Sequence, residues 1–104
     1  MQPAFRDEGH FDTTQASRYL QQLSKHFAHK AEVRFDPAAA EIALPPGKIA
    51  LTATDDVLRV VVTTDDPEKL DRMRGIVDSH LARFAFRDSF STMVWATQTG
   101  GAAS

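Results

Sequence analysis

The chain has 104 residues, balances 12 Lys and Arg against 14 Asp and Glu for a formal net charge of −2, and contains no cysteine. This length predicts one domain. The missing thiol excludes disulfides, thiolate zinc sites, Fe–S clusters and a cysteine nucleophile, and the near-neutral charge removes the basic face that nucleic-acid binding needs. No apolar run approaches the ~20 residues of a bilayer span, and residues 1–8 lack the apolar block of a signal peptide. The expectation is a cytoplasmic domain over residues 1–96, with no membrane or nucleic-acid partner and a mobile tail over 97–104.

His10-Phe11-Asp12-Thr13 predicts a short edge strand. The first helix is expected to start at Thr13 or Thr14, either of which can cap it, and to end near Lys30. Ala16, Leu20, Leu23 and Phe27 wind into its apolar stripe. Val33 and Phe35 alternate with Glu32 and Arg34. After the loop 36–40, Ile42 and Leu44 alternate with Glu41 and Ala43, which makes a hairpin. Pro45-Pro46-Gly47 breaks the chain, and Ile49, Leu51 and Ala53 pair through the Asp55-Asp56 turn with Leu58, Val60 and Val62 in a second hairpin. The β-branched run Val57–Val62 belongs toward the sheet centre. A second helix has a marked start in Asp66 as cap, Pro67 at the first helical position and Glu68 near the positive end of the dipole. Its stripe is Leu70, Met73, Val77, Leu81 and Phe84, it runs to about Ala85, and Gly75 sits in it either for a close backbone approach or as a tolerated residue. Phe90 to Ala96 reads as a last strand, with Met93 and Trp95 on one side and Thr92 and Val94 on the other. The order (β)αββββαβ predicts an α+β two-layer sandwich: a mostly antiparallel sheet of four to six strands with two helices on one face.

Chemistry-bearing residues concentrate at two helix ends. His26, His29 and Lys30 close the first helix, and His80, Arg83 and Arg87 lie late in or just past the second. The positive groups suit a small anionic ligand or a protein partner. Alternatively, His26, His29 and His80 would form an open metal site if they converge, with Asp78 or Glu32 as a supplementary carboxylate. In a purely structural reading His80 hydrogen-bonds a neighbouring group and His26 and His29 compensate the helix dipole. Asp55-Asp56 and Asp65-Asp66 read as turn and capping residues. There is no Ser-His-Asp order, phosphate loop, dinucleotide fingerprint or His-Glu-x-x-His pattern, so no cofactor is implied and a binding or accessory domain is favoured over an enzyme.

The stretch Ser17-Arg18-Tyr19-Leu20-Gln21-Gln22-Leu23-Ser24-Lys25-His26-Phe27-Ala28-His29-Lys30, together with Asp78-Ser79-His80-Leu81-Ala82-Arg83-Phe84-Ala85-Phe86-Arg87, resembles DUF2218, a family of small bacterial domains of unknown function. The resemblance spans about residues 12–96. It implies a compact bacterial domain of about a hundred residues without an assigned activity, and a connection of some relatives with siderophore-interacting proteins. Its motifs fall on His26, His29, Lys30, His80, Arg83 and Arg87. Relatives carry cysteine at the place of Ser24, so no shared thiolate mechanism transfers to this chain.

Overall fold

Six of the eight described elements are strands, whose side chains alternate between one sheet face and the other. The computed structural model describes residues 5–85 and 93–96. Its elements are β1 (Phe5–Asp12), α1 (Ala16–Phe27), β2 (Glu32–Phe35), β3 (Ala39–Leu44), β4 (Gly47–Ala53), β5 (Val57–Thr64), α2 (Pro67–Ala85) and β6 (Val94–Trp95). The strands form one six-stranded antiparallel sheet in the order β2-β3-β4-β5-β1-β6. Ile42, Ile49, Leu51, Leu58, Val60 and Val62 face inward and are fully covered, and Leu20, Leu23, Met73, Val77 and Leu81 from the helices complete a single core. Glu41, Lys48, Ala50, Thr52 and Arg59 lie exposed on the opposite face. This is the two-layer α+β sandwich, and β5 sits in the sheet interior as its β-branched run predicts.

Three local features differ from the sequence expectation, and part of a fourth expectation falls outside the described residues. β1 is eight residues long rather than a short edge segment, and it lies between β5 and β6, paired with β5 along its whole length. Its signal is weak because two of its inward positions are Asp7 and Gly9, which carry no apolar pattern. α1 begins later than expected, and neither threonine caps it: Gln15 is the cap residue and makes no side-chain cap hydrogen bond. The Thr13 hydroxyl instead accepts the Gln15 N–H at 3.0 Å, and the Thr13 N–H donates to the Asp56 carbonyl at 2.9 Å, tying the helix entry to the β4–β5 turn. α1 also stops at Phe27, so His29 and Lys30 lie in the turn that follows it. Finally, the last strand is described only at Val94 and Trp95, with Trp95 opposite Gly9; the Phe90–Thr92 part of the expectation, Phe86, Arg87 and the 97–104 tail fall outside the described residues.

The start of α2 follows the sequence. The Asp66 carboxylate accepts the Glu68 N–H at 3.0 Å, satisfying one of the orphan donors of the first turn. Asp36 plays the same local role in the β2–β3 hairpin, accepting the Ala38 and Ala39 N–H groups at 2.8 and 2.9 Å. Two glycines are required by close approach. A Cβ on Gly9 would stand 2.8 Å from the Trp95 ring, and one on Gly47 would overlap the Thr63 carbonyl oxygen. Gly75 is different: a Cβ there would meet nothing within 4 Å and the site is exposed. Gly75→Ala is therefore expected to raise stability by about 0.5–1 kcal/mol by reducing the freedom of the unfolded chain. Thermal denaturation reads this directly, and an unchanged or lower midpoint would contradict it.

Ser24 is fully buried in α1, and its hydroxyl has no hydrogen-bond partner. An orphaned buried hydroxyl costs about 1–3 kcal/mol relative to a satisfied one. Ser24→Ala is expected to be neutral to stabilising in urea denaturation, opposite to the usual loss on truncating a buried side chain.

Candidate functional site

The C-terminal half of each helix contributes one imidazole to a shared rim. His26 lies in the last turn of α1, one residue before the buried Phe27 of the apolar stripe, which leaves it on the shoulder and half-buried. His80 holds the matching shoulder of α2, between the buried Val77 and Leu81. Their rings stand 5.2 Å apart, centroid to centroid, inclined at 54°. Phe27 packs against His80 at 4.8 Å and Phe84 against His26 at 6.1 Å. The imidazoles therefore sit on an aromatic floor rather than in open water. The spacing behind this is helical: His80 and Phe84 are four residues apart and share one face of α2.

His80 Nδ1 lies 2.7 Å from the Ile76 carbonyl oxygen. A carbonyl can only accept, so Nδ1 carries the proton and Nε2 of the neutral ring is the acceptor nitrogen. This is the internal hydrogen bond of the structural reading, and it also fixes the ring's orientation. Positive charge surrounds the pair. Lys30 Nζ stands 5.9 Å from the centre of the Phe27 ring. Burial first, then the charges of His80, Lys30, Arg83 and His29, hold the His26 pKa below the ordinary imidazole range. Lys30, Arg83 and His29 are themselves exposed.

The lowered pKa has a consequence for stability. Between the depressed folded value and the ordinary value of about 6.5, the unfolded chain binds more protons than the folded one, so stability rises with pH across that interval. Above about 6.5 the effect vanishes, and below the folded value the loss is complete. The melting temperature is expected to fall on acidification from pH 7 to pH 5, and to fall less in His26→Gln. Equal slopes for the two proteins would refute the assignment to His26.

Of the residues singled out in the sequence, His26, His29, Lys30, His80 and Arg83 lie within one electrostatic neighbourhood, while Arg87 lies outside the described residues. The first helix ends before His29, so the two histidines three residues apart do not share a helix turn. Among the described residues, no three His, Asp or Glu side chains form a group able to hold a metal ion. Asp78, expected as a supplementary ligand, instead accepts the Met93 N–H at 2.9 Å and the Trp95 indole N–H at 3.1 Å. Sequence reading assigned Phe27 and Phe84 to the core alone; the His26–Phe27 and His80–Phe84 adjacencies are the signal for their second role as the site's floor. It did not find the ion pair between Asp7 and Arg74, 67 positions apart. A hollow of about 480 Å³ on the outer face, bordered by Glu32, Arg34, Glu41 and Lys48, balances two negative with two positive groups and has no net preference for an anion.

The fold and the rim together define a small α+β sandwich with a cationic, aromatic-floored imidazole pair where its two helices meet. The chain belongs to the DUF2218 family, described as uncharacterized protein conserved in bacteria, which matches residues 8–96. It is similar to PA4090 from Pseudomonas aeruginosa, known from an NMR structure, with 33% identity and a TM-score of 0.73 over 88% of this chain and 94% of that one. A comparison with curated proteins finds no match.

Proposed function

We propose that this protein is a non-enzymatic binding domain that holds a small polycarboxylate or phosphate anion at His26, Lys30, His80 and Arg83, with His29 at the rim. The observation behind this reading is the pair of imidazoles 5.2 Å apart under the combined positive charge of Lys30 and Arg83. An anion entering this rim would relieve that repulsion and favour the charged form of His26, so its affinity rises as pH falls toward 6. The acidic side chain of a protein partner offers the same chemistry. The expected connection with iron-siderophore handling is one form of the same reading, since many iron chelators are anionic. The metal alternative, with His26, His29 and His80 as ligands, is less favoured because a two-imidazole pair fills only half of a tetrahedral ion's coordination positions.

The test is an amide-resolved NMR titration with citrate and with inorganic phosphate at pH 6, followed at pH 7.5. Shifts are expected at His26, Lys30, His80 and Arg83, weaker at the higher pH and lost in the Lys30→Ala/Arg83→Ala double variant. No shift at millimolar anion, or shifts confined to the outer sheet face, would end this reading. A parallel titration with zinc chloride that broadens only His26 and His80 would favour the metal alternative.

A further inference from the structure

Charges alternate in sign across the edge of the sheet: Lys30, Glu32, Arg34 and Asp36 are positive, negative, positive and negative, arranged around Val33. Among the described residues β2 ends the sheet order, and no strand among them pairs with the other side of its backbone. The hairpin identifies which groups face that side. The Asp36 N–H donates to the Ala39 carbonyl at 2.8 Å, which makes 36 and 39 a hydrogen-bonded pair. Such pairs alternate with non-bonded ones along an antiparallel ladder. Stepping along the register, Arg34–Glu41 and Glu32–Ala43 are bonded pairs, whereas Val33 and Phe35 direct their N–H and C=O groups away from the sheet. The Ala53 N–H donating to the Ala38 carbonyl at 2.9 Å carries the same alternation through β3 and β4.

We infer that β2 is a self-complementary edge through which a second copy of this chain adds antiparallel, continuing the sheet across a two-fold axis at Val33. Backbone groups restrict the choices first: only registers that set odd-numbered residues opposite odd-numbered ones match outward donors with outward acceptors. Charge then selects among the axes at Glu32, Val33 and Arg34. With the axis at Val33, Glu32 faces the second copy's Arg34 and the reverse, which is favourable on the outer face. With the axis at Glu32, two Glu32 residues meet and Lys30 faces Arg34; with the axis at Arg34, two Arg34 residues meet and Glu32 faces Asp36. Like charges directly opposite are destabilising. On the inner face the same two-fold brings Val33 against Val33 and Phe35 against Ala31. Phe35 is 38% exposed in the single chain and, among the described residues, shares large apolar exposure with Phe5 and Val94 alone. An unpaired edge with an exposed aromatic is a template for strand addition unless it is blocked, and no proline or bulge blocks this one. One four-residue strand per copy makes a small interface, so the association belongs in the weak range.

Sedimentation velocity on the whole chain, from micromolar to millimolar concentration, tests this. A reversible monomer–dimer equilibrium is expected. Glu32→Arg makes both 32–34 cross-strand pairs positive, and Arg34→Glu makes both negative, so each alone should dissociate roughly tenfold more readily. An equimolar mixture of the two variants restores opposite charges at every pair, and heterodimers should recover the affinity of the original chain. Both positions are exposed, so unchanged melting curves serve as the folding control. A chain that stays monomeric at millimolar concentration, single variants that dimerise as well as the original, or a mixture that forms no heterodimer would each overturn the inference.

Discussion

Arg74→Met is expected to destabilise the fold by about 2–4 kcal/mol, far more than its partly exposed surface position on α2 suggests. The Arg74 guanidinium donates to the Asp7 carboxylate at 2.9 Å, and the Asp7 side chain is only 2% exposed while that of Arg74 is 16% exposed. The other Asp7 oxygen accepts the Glu8 N–H at 2.8 Å. Asp7 sits on the inner face of β1 opposite Val62, so removal of the guanidinium takes a charged partner from a buried carboxylate. That penalty, rather than the attraction of the pair, is what the substitution measures. The double variant Asp7→Leu/Arg74→Met removes both charges and should recover most of the loss. Urea denaturation with an unchanged slope checks both. A single variant within 0.5 kcal/mol of the original, on the scale of ordinary surface changes, would show that Asp7 finds other compensation.

Asp78→Ala is the second large effect, with an expected loss of about 2–4 kcal/mol. Its two carboxylate oxygens receive the Met93 N–H and the Trp95 indole N–H, and both of those residues are buried. Truncation removes the carboxylate acceptor of two buried groups at once. It also loosens the segment that depends on them, because among the described residues β6 pairs with β1 at two positions, Gly9–Trp95 and His10–Val94. Trp95 is the only tryptophan in the chain, so its fluorescence reports this segment without ambiguity. Emission should shift to the red under native conditions and the unfolding midpoint should drop. Asp78→Asn, which keeps one acceptor oxygen, should fall between. A native-like emission maximum in Asp78→Ala would mean that packing of the indole over Gly9 suffices to hold β6.

Short-range signals carried much of this architecture. The alternation of β2 through β5 and the turns between them follow from period-two patterns and from Asp, Pro and Gly at the breaks. The Asp66-Pro67-Glu68 start of α2 is complete within three residues, since a cap needs only a nearby oxygen and an orphan N–H. β1 escaped because its inward residues answer to distant ones: Asp7 to Arg74 and Gly9 to Trp95. Polar and glycine positions have no periodicity that marks them as core. The α1 start was misplaced for a related reason, as the Thr13 hydroxyl was taken by Gln15 N–H and its backbone by Asp56.

The site shows the same division. Sequence alone placed His26, His29, Lys30, His80 and Arg83 at the helix ends and, through the absent cysteine, restricted their chemistry to imidazole, ammonium and guanidinium groups. The meeting of His26 with His80, the Phe27–Phe84 floor and the lowered His26 pKa depend on how two helices 40 residues apart in the chain dock on one sheet. Periodicity says which side of a helix turns to the core; it does not say which residues of two helices share a height across it. That is decided by how the two helices bury Leu20, Leu23, Phe27, Met73, Val77 and Leu81 in one core over the sheet, and packing is a property of the folded chain.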